Sequence, residues 1–226
     1  MNETPEILSA AAPFHEPLAE IERLGDELMK QVAESMTLKK DFTSSDMFLL
    51  GAVRRTLAQS KGFSQLISAR NFPCAAAILR MQIDTAMRIY ALYGMTDRDS
   101  CCQALLGEQK FNTLKGADGQ KMTDANLRKN LAKHYPWINS VYEATSDFIH
   151  LSGRHFYNSV YSLDDETRTI RFSISGNDPD RPNTAYDEIL GVFLDVSKLV
   201  NSMLLGYFIS RVDSKQKIEN NISASD

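Results

Sequence analysis

The sequence predicts a mainly α-helical protein, a bundle of about six helices with one β-hairpin inserted at residues 155–176. Two observations lead to this fold class. Apolar residues recur every three or four positions over most of the chain, which is the period of an amphipathic helix. Between Phe156 and Ile174 the period changes to two, which is the period of a half-buried strand. The hairpin is therefore expected to interrupt an otherwise helical domain.

Capping and breaking residues set the predicted boundaries of the helices. Ser and Asp side chains cap helix starts, proline fits the first turn of a helix, and glycine ends one. Two of the predicted helical segments are separated only by a restart at Pro136. The segments cover residues 18–36, 44–70, 73–93, 97–114, 123–134, 136–153 and 184–212. The polar run at 164–167 supplies the turn of the hairpin.

Length and composition limit the classes of protein that remain. A chain of 226 residues suffices for one domain, predicted at 15–212 between a flexible arm at 1–14 and a disordered tail at 213–226. A net charge of −4 argues against a generally basic surface that coats phosphates, although it allows a local basic patch. The three cysteines have neither disulfide-framework nor zinc-site spacing, so we expect no metal and no cofactor.

Localisation is predicted from two segments of the chain. The acidic start lacks the basic residues and apolar run of a signal peptide, which favours a cytoplasmic protein. The most apolar segment, residues 189–212, is interrupted by charged and polar residues, so we expect no membrane span.

The third predicted helix carries a polar stripe on an apolar wheel. Arg80, Asp84 and Arg88 follow one another at four-residue spacing and therefore share one face. Asp84 can reach both arginines, but two cations exceed one anion, so the surplus charge needs another acceptor. The stripe is either a structural ion-pair network or an anion-binding or phosphodiester-binding site.

A second polar group lies where the helix from Pro136 is expected to end. Tyr142, Ser146 and His150 have the same four-residue spacing, and Ser152, Arg154 and His155 follow at the exit into the hairpin. These residues supply acid–base, cationic and hydroxyl groups within a short stretch. We expect His150 to be a buried or cleft-lining partner of the stripe, with Ser146 on the same wall. The alternative is a set of structural hydrogen bonds at the end of a helix.

These two motifs together carry a resemblance to a known family. The helix with Arg80, Asp84 and Arg88, followed about sixty residues later by Tyr142-x3-Ser-x3-His-Leu-Ser152, resembles bacterial helical proteins similar to the HEPN superfamily (higher eukaryotes and prokaryotes nucleotide-binding) and to abortive-infection proteins. The resemblance covers residues 45–155. It implies a four- or five-helix bundle, often dimeric, in a bacterial defence or toxin-type system. In ribonuclease members it also implies metal-free RNA cleavage by an arginine and a histidine in the pattern Arg-x4–6-His.

That pattern occurs once in a short basic helix, at Arg128 and His134. Pairing His150 with Arg80 or Arg154 preserves the chemistry but not the spacing. Cations and aromatic rings near Arg128 have the composition of an RNA-facing surface, although a solvated helix face has it too. These residues are Lys121, Lys129, Lys133, Tyr135 and Trp137.

Two functional classes follow from these observations. The first is a binding or regulatory component of a defence or toxin-type system that uses RNA, a nucleotide or a cognate protein as its partner. The alternative is a metal-independent endoribonuclease with His150, Arg80, Asp84 and Arg154 as its catalytic groups. The final helix has more apolar residues than one core face needs, so we also expect a homodimer.

Overall fold

The computed structural model describes residues 13–38, 41–178 and 180–212. The expected arm and tail fall mostly on residues 1–12 and 213–226, which lie outside this range. The described residues form eight α-helices, one 3-10 helix and two strands. The helices are α1 (His15–Thr37), α2 (Ser44–Ser68), α3 (Phe72–Tyr93), α4 (Arg98–Leu106), α5 (Asp124–Ala132), α6 (Ile138–Ser146), α7 (Gly153–Ser159) and α8 (Asn183–Ser210). The 3-10 helix is Phe111–Thr113, and the strands are β1 (Val160–Asp164) and β2 (Thr169–Phe172).

The predicted class, mainly helical with an inserted hairpin, is confirmed. Local signals place the ends of the long helices close to the predicted residues. Thr43 and Asp46 form a reciprocal capping box at the start of α2, and Asn71 caps α3 at the backbone N–H of Cys74. The strands β1 and β2 pair antiparallel, with a bulge between Val160 and Ser162.

Two predicted helices, 97–114 and 136–153, extend further along the chain than the observed helices α4 and α6. The last turn of α4 is closed when Glu108 takes a left-handed conformation, with φ of 67°, and Gln109 donates its backbone N–H to the carbonyl of Ala104. In α6, the hydroxyls of Thr145 and Ser146 donate to backbone carbonyls one turn back, and the helix ends at Ser146.

The predicted start of the hairpin is also wrong. Residues 153–159 form α7 because Ser152 caps this helix, and the His155 ring accepts the backbone N–H of Ser152 in return. The alternation that begins at Phe156 therefore belongs to a strand only from Val160 onwards.

The core lies between four long helices. Helix α1 packs on α2 and α8, and α3 packs on the opposite sides of the same pair. Phe63 of α2 and Phe193 of α8, both fully buried, stack at 3.8 Å between ring centroids. The shorter helices α4, α5 and α6 cover α2 and α3 from outside.

Helix α8 is a core helix of this bundle. Among the described residues it is the one helix long and apolar enough to cross a bilayer, but half of its most apolar window is buried inside the fold. Most of the apolar residues of α8 that favour a dimer interface are buried against α1, α2 and α3 of the same chain. The buried ones are Leu190, Phe193, Val196, Leu199, Leu204, Tyr207 and Phe208. The surplus apolar width of α8 is therefore used within one chain, and that reason for a dimer is lost.

Candidate functional site

The polar stripe of α3 lies on one face of the helix, where α2, α5 and α6 approach it. Asp84 pairs with Arg88 one turn further along. On its other side Asp84 faces Arg55 of α2, with 3.9 Å between Nη2 and Oδ2. No ion pair joins Asp84 to Arg80 in the described part of the chain, so the expected pairing of one carboxylate with both stripe arginines is half right.

Arg88 connects the stripe to α5 and to the 3-10 helix. Its Nη2 donates to Oδ1 of Asp124 at 3.1 Å, and its guanidinium carbon lies 5.2 Å from the ring centroid of Phe111. Asp124 is the first residue of α5, where the positive end of the helix dipole stabilises a carboxylate. Arg88 is thus held between two carboxylates and an aromatic ring.

Arg80 has a different environment, because it faces an aromatic ring rather than a carboxylate. Its guanidinium carbon lies 3.5 Å from the ring centroid of Tyr142, and that of Arg128 lies 4.8 Å from the same centroid. Arg128 also donates to Glu143 at 3.1 Å. The Nε of Arg80 is buried and has no hydrogen-bond partner among the described residues. Two guanidinium groups therefore share one tyrosine ring, and among the described residues only that of Arg128 has an ion pair, whereas Asp124 attracts Arg80 at longer range.

We call Arg55, Arg80, Arg88 and Arg128 the arginine cluster. Its four cations meet three carboxylates, those of Asp84, Asp124 and Glu143. Burial lowers the pKa values of Arg55, Arg80 and Arg88, but a guanidinium remains protonated at neutral pH. The cluster carries one positive charge more than its carboxylates neutralise.

A layer of buried polar side chains joins the arginine cluster to the interface between α2 and α3. Nε of Arg55 donates to the Thr85 hydroxyl at 3.0 Å. When the amide of Gln59 is oriented with its oxygen towards Arg55, it accepts from Nε and Nη2 at 3.2 Å and donates to Gln82. The layer fixes Arg55 and holds the two helices in register at this level of the bundle.

The polar residues near Thr145–Phe156 form a corner between two helices. Ser146 donates its hydroxyl to the carbonyl of Tyr142 at 2.6 Å, and Ser152 donates to the carbonyl of Asp147 at 3.1 Å. Arg154 donates to the carbonyl of Ala144 at 3.0 Å. Together with the cap formed by His155, these bonds satisfy the end of α6 and the start of α7. These contacts agree with the alternative in which the polar residues make structural hydrogen bonds at the end of a helix. The residues are Ser146, Ser152, Arg154 and His155.

The expected position of His150 is wrong. Because α6 ends at Ser146, His150 no longer shares a helix face with Tyr142 and Ser146. The imidazole is exposed, and no hydrogen bond or ion pair within the described residues joins it to Arg80, Asp84 or Arg88. His150 therefore does not contribute to the wall of the arginine cluster.

Arg128 and His134 lie on different sides of α5. Arg128 faces Tyr142 and Glu143 of α6, whereas the exposed His134 packs its ring 5.8 Å from that of Tyr90 on α3. A small cavity of about 250 Å³ opens beside His134. It lies between the end of α3, the loop before α5 and α5 itself, and Lys121 and Lys133 contribute to its lining.

The outer surface of α5 is basic, as the sequence predicts. Lys121, Lys129 and Lys133 are exposed, and the Trp137 side chain, 36% exposed, lies just beyond the helix. The arginine cluster and this surface adjoin each other through Arg128. In the described ranges, no group of three His, Cys, Asp or Glu side chains is arranged to hold a metal ion.

Sequence reasoning missed the partners that come from other helices. Arg55, Asp124 and Glu143 have no sequence signal that separates them from ordinary surface charges. The sequence predicts that Tyr142 lies on a polar face, but it does not predict the contact between the Tyr142 ring and Arg80. No family model matches the chain, and neither a curated protein nor a solved structure matches it.

Proposed function

We propose that the protein is a helical binding module that holds single-stranded RNA at the arginine cluster and the basic face of α5. The observation that supports the proposal most is Arg80, a partly buried cation that has no ion pair within the described residues and feels Asp124 only at longer range. A guanidinium presents several donors in a planar fork that matches phosphate oxygens. A phosphodiester beside this guanidinium would supply the negative charge that the arginine cluster lacks.

Aromatic groups between the cations favour RNA over a simple anion. Tyr142 lies under two guanidinium groups, and Trp137 is partly exposed at the end of the basic surface. Unpaired RNA bases stack on aromatic and guanidinium planes while cations follow the backbone. The resemblance to HEPN-like proteins agrees with this role and adds the context of a bacterial defence or toxin-type system, with this chain as its binding or regulatory component.

The test is fluorescence anisotropy with a labelled single-stranded RNA. The variant Arg80→Gln, Arg128→Gln is expected to weaken binding by about tenfold or more, because charge-assisted bonds to phosphate are lost. The salt dependence of the affinity should also become shallower. Asp84→Asn is expected to strengthen binding, since it removes a competing carboxylate from the cluster.

Arg23→Gln is the matched control. Arg23 is an exposed arginine of α1 whose ion pairs in the described ranges are with Glu20 and Glu27 of its own helix, so this variant removes the same type of charge from another surface. Melting temperatures of all variants separate loss of binding from loss of folding. Equal affinity of the double variant and Arg23→Gln would reject the proposed site.

A metal-independent endoribonuclease remains the second candidate, with His134 in place of His150. The exposed His134 borders the cavity with Lys121 and Lys133, which is the combination of acid–base and cationic groups that phosphodiester cleavage uses. RNA incubated with the wild-type protein and a chelator should be cleaved, and His134→Ala should abolish cleavage while His150→Ala retains it. Intact RNA after incubation with the wild type would remove this candidate and leave the binding module in place.

A further inference from the structure

The hairpin β1–β2 has one polar and one apolar face. Cross-strand partners point to the same side of an antiparallel pair, so Ser162 with Arg171, and Asp164 with Thr169, make up the polar face. Leu163 and Ile170 point to the other side, and Phe172 follows Ile170 by two residues. This is the alternation of a sheet that covers a core with one face.

The apolar face covers nothing in the described part of this chain. Leu163 is 68% exposed, Ile170 49% and Phe172 46%. Phe156 of α7 lies 5.7 Å from Phe172 between ring centroids and is exposed as well. Apart from marginal contacts, α7 is the one helix on which the hairpin packs among those that the structure describes. A two-stranded hairpin is marginally stable by itself in water, so a covering surface would stabilise this one.

We propose that this apolar face is the surface through which two copies of the chain associate. The exposed area is the first reason. Fully exposed side chains of this size present roughly 150–250 Å² each, so the exposed set amounts to an area on the order of 1,000 Å². The set is Ile149, Leu151, Phe156, Tyr157, Tyr161, Leu163, Ile170, Phe172 and Ile174. A standard protein interface needs about 800 Å² from each partner, so the exposed apolar side chains of the hairpin and its flanks are together large enough for one.

Self-complementarity is the reason to choose a second copy as the occupant. In a twofold interface the same patch faces itself, and an uncharged apolar face satisfies that condition without desolvating charges. The tip of the hairpin carries Asp164, Asp165 and Glu166 against the single cation Arg168, while Arg154 lies near its base at the start of α7. Arg154 faces Asp147 of its own chain at 3.9 Å, and in an antiparallel arrangement of two hairpins the acidic tip of the other copy would be a second counter-charge for it.

This surface differs from the one that the sequence favours for a dimer. Helix α8 buries its apolar residues inside its own chain, whereas the hairpin leaves its apolar residues uncovered. The surface also has no residue in common with the arginine cluster. The proposal therefore stands or falls independently of RNA binding.

Two lysine substitutions on neighbouring residues of β2 test the proposal. Ile170→Lys places a charge on the apolar face, and Thr169→Lys places the same charge on the polar face opposite Asp164. Both positions are exposed, so both variants are expected to fold. In light scattering, the wild type and Thr169→Lys should have twice the 25.4 kDa mass of one chain. Ile170→Lys should raise the dimer dissociation constant by about a hundredfold or more, because it would bury an unpaired charge.

Hydrogen exchange provides a second measurement that needs no variant. Backbone amides of residues 160–172 in the wild type should exchange more slowly as the protein concentration rises, while amides on α1 keep their rates. A wild-type mass of one chain up to about 100 µM, a concentration above the dissociation constant of any stable interface of this size, would overturn the proposal. Equal dissociation of both lysine variants, or hairpin exchange that is independent of concentration, would also overturn it.

Discussion

The arginine cluster and the β-hairpin depart in opposite ways from the usual placement of side chains. In the cluster, four guanidinium groups are drawn into the contact between α2, α3, α5 and α6, and Arg80 and Arg88 are partly buried. In the hairpin, Leu163, Ile170 and Phe172 are left in water although the strands alternate as if one face were covered. Charged groups are partly buried in the first region, and apolar groups are exposed in the second.

The physical costs of the two regions are also different. A partly buried cation requires a counter-charge, and the cluster supplies all but one from its own carboxylates. An exposed apolar face costs little in the monomer, because the chain merely forgoes the gain from covering it. The arginine cluster is therefore stabilised by its own ion pairs except for one positive charge, whereas the apolar face of the hairpin is not covered by any described residue. This difference is the reason for which we propose a small anionic contact in one case and a protein surface in the other.

The largest expected effect contrasts the packed bundle with the hairpin. Phe193→Ala removes a fully buried ring that stacks on Phe63, and we expect it to lower the free energy of unfolding by about 3 to 5 kcal/mol. Phe172→Ala, on the exposed face of the hairpin, should change that free energy by less than about 0.5 kcal/mol. Urea denaturation of both variants, at a protein concentration low enough to keep the chain monomeric, measures the two changes.

A comparable loss of stability in both variants would contradict this contrast. It would mean that the hairpin is part of the cooperative core of one chain, and the argument for a second copy would fail with it. A small loss in Phe193→Ala would instead mean that α8 is not held by the packing between Phe63 and Phe193.

The second prediction uses a buried polar contact whose groups are matched, in contrast to Arg80. Tyr207 of α8 donates its hydroxyl to Asp46 at 2.7 Å, and both side chains are buried. Tyr207→Phe removes this donor, and we expect a loss of about 1.5 to 3 kcal/mol, the range for a hydrogen bond to a charged group. Chemical denaturation at neutral pH measures the loss, with Tyr161→Phe on the exposed hairpin as the control variant.

The same contact has a defined pH dependence. Burial, together with the hydrogen bond to Asp46, raises the pKa of Tyr207 from its ordinary value of 10.0 to about 12. A raised pKa means that the folded state binds the proton more tightly, so this stabilisation is complete below about pH 10 and is lost as the pH rises through 12. The difference between wild type and Tyr207→Phe should therefore be constant up to about pH 10 and then shrink. A difference that grows above pH 10 would show that the sign is wrong.

Local signals explain how much of this fold the sequence could predict. Caps and breakers act within a few residues, so α2 and α3 begin and end close to the predicted positions. The shared face of Arg80, Asp84 and Arg88 follows from helical periodicity alone. The ion partners Arg55 and Asp124 come from other helices, and their approach depends on tertiary packing that no local pattern encodes.

The corner between α6 and α7 shows where periodicity misleads. Gly153 is the expected end of the helix from Pro136, and the four-residue spacing from Tyr142 through Ser146 predicts that His150 lies on its polar face. Competing signals were present in the same residues. Thr145, Ser146 and Asp147 are residues that end helices, and Ser152 with His155 makes a reciprocal cap. Side-chain bonds to the backbone outweighed the helical period at this point.

The smallest effect that we expect separates the two histidines of this corner. His155 accepts the backbone N–H of Ser152 at 3.3 Å and completes the cap of α7, whereas His150 is exposed and makes no hydrogen bond in the described structure. His155→Ala should cost about 0.5 to 1 kcal/mol, as the loss of a capping interaction does, and His150→Ala should cost less than that. Urea denaturation of the two variants against the wild type gives the difference, with faster amide exchange over residues 153–159 in His155→Ala as a local readout. If His155 caps α7, His155→Ala must lower the free energy of unfolding by more than His150→Ala does. A larger loss for His150→Ala would mean that this imidazole has a structural partner, and the assignment of the corner to helix capping would have to be withdrawn.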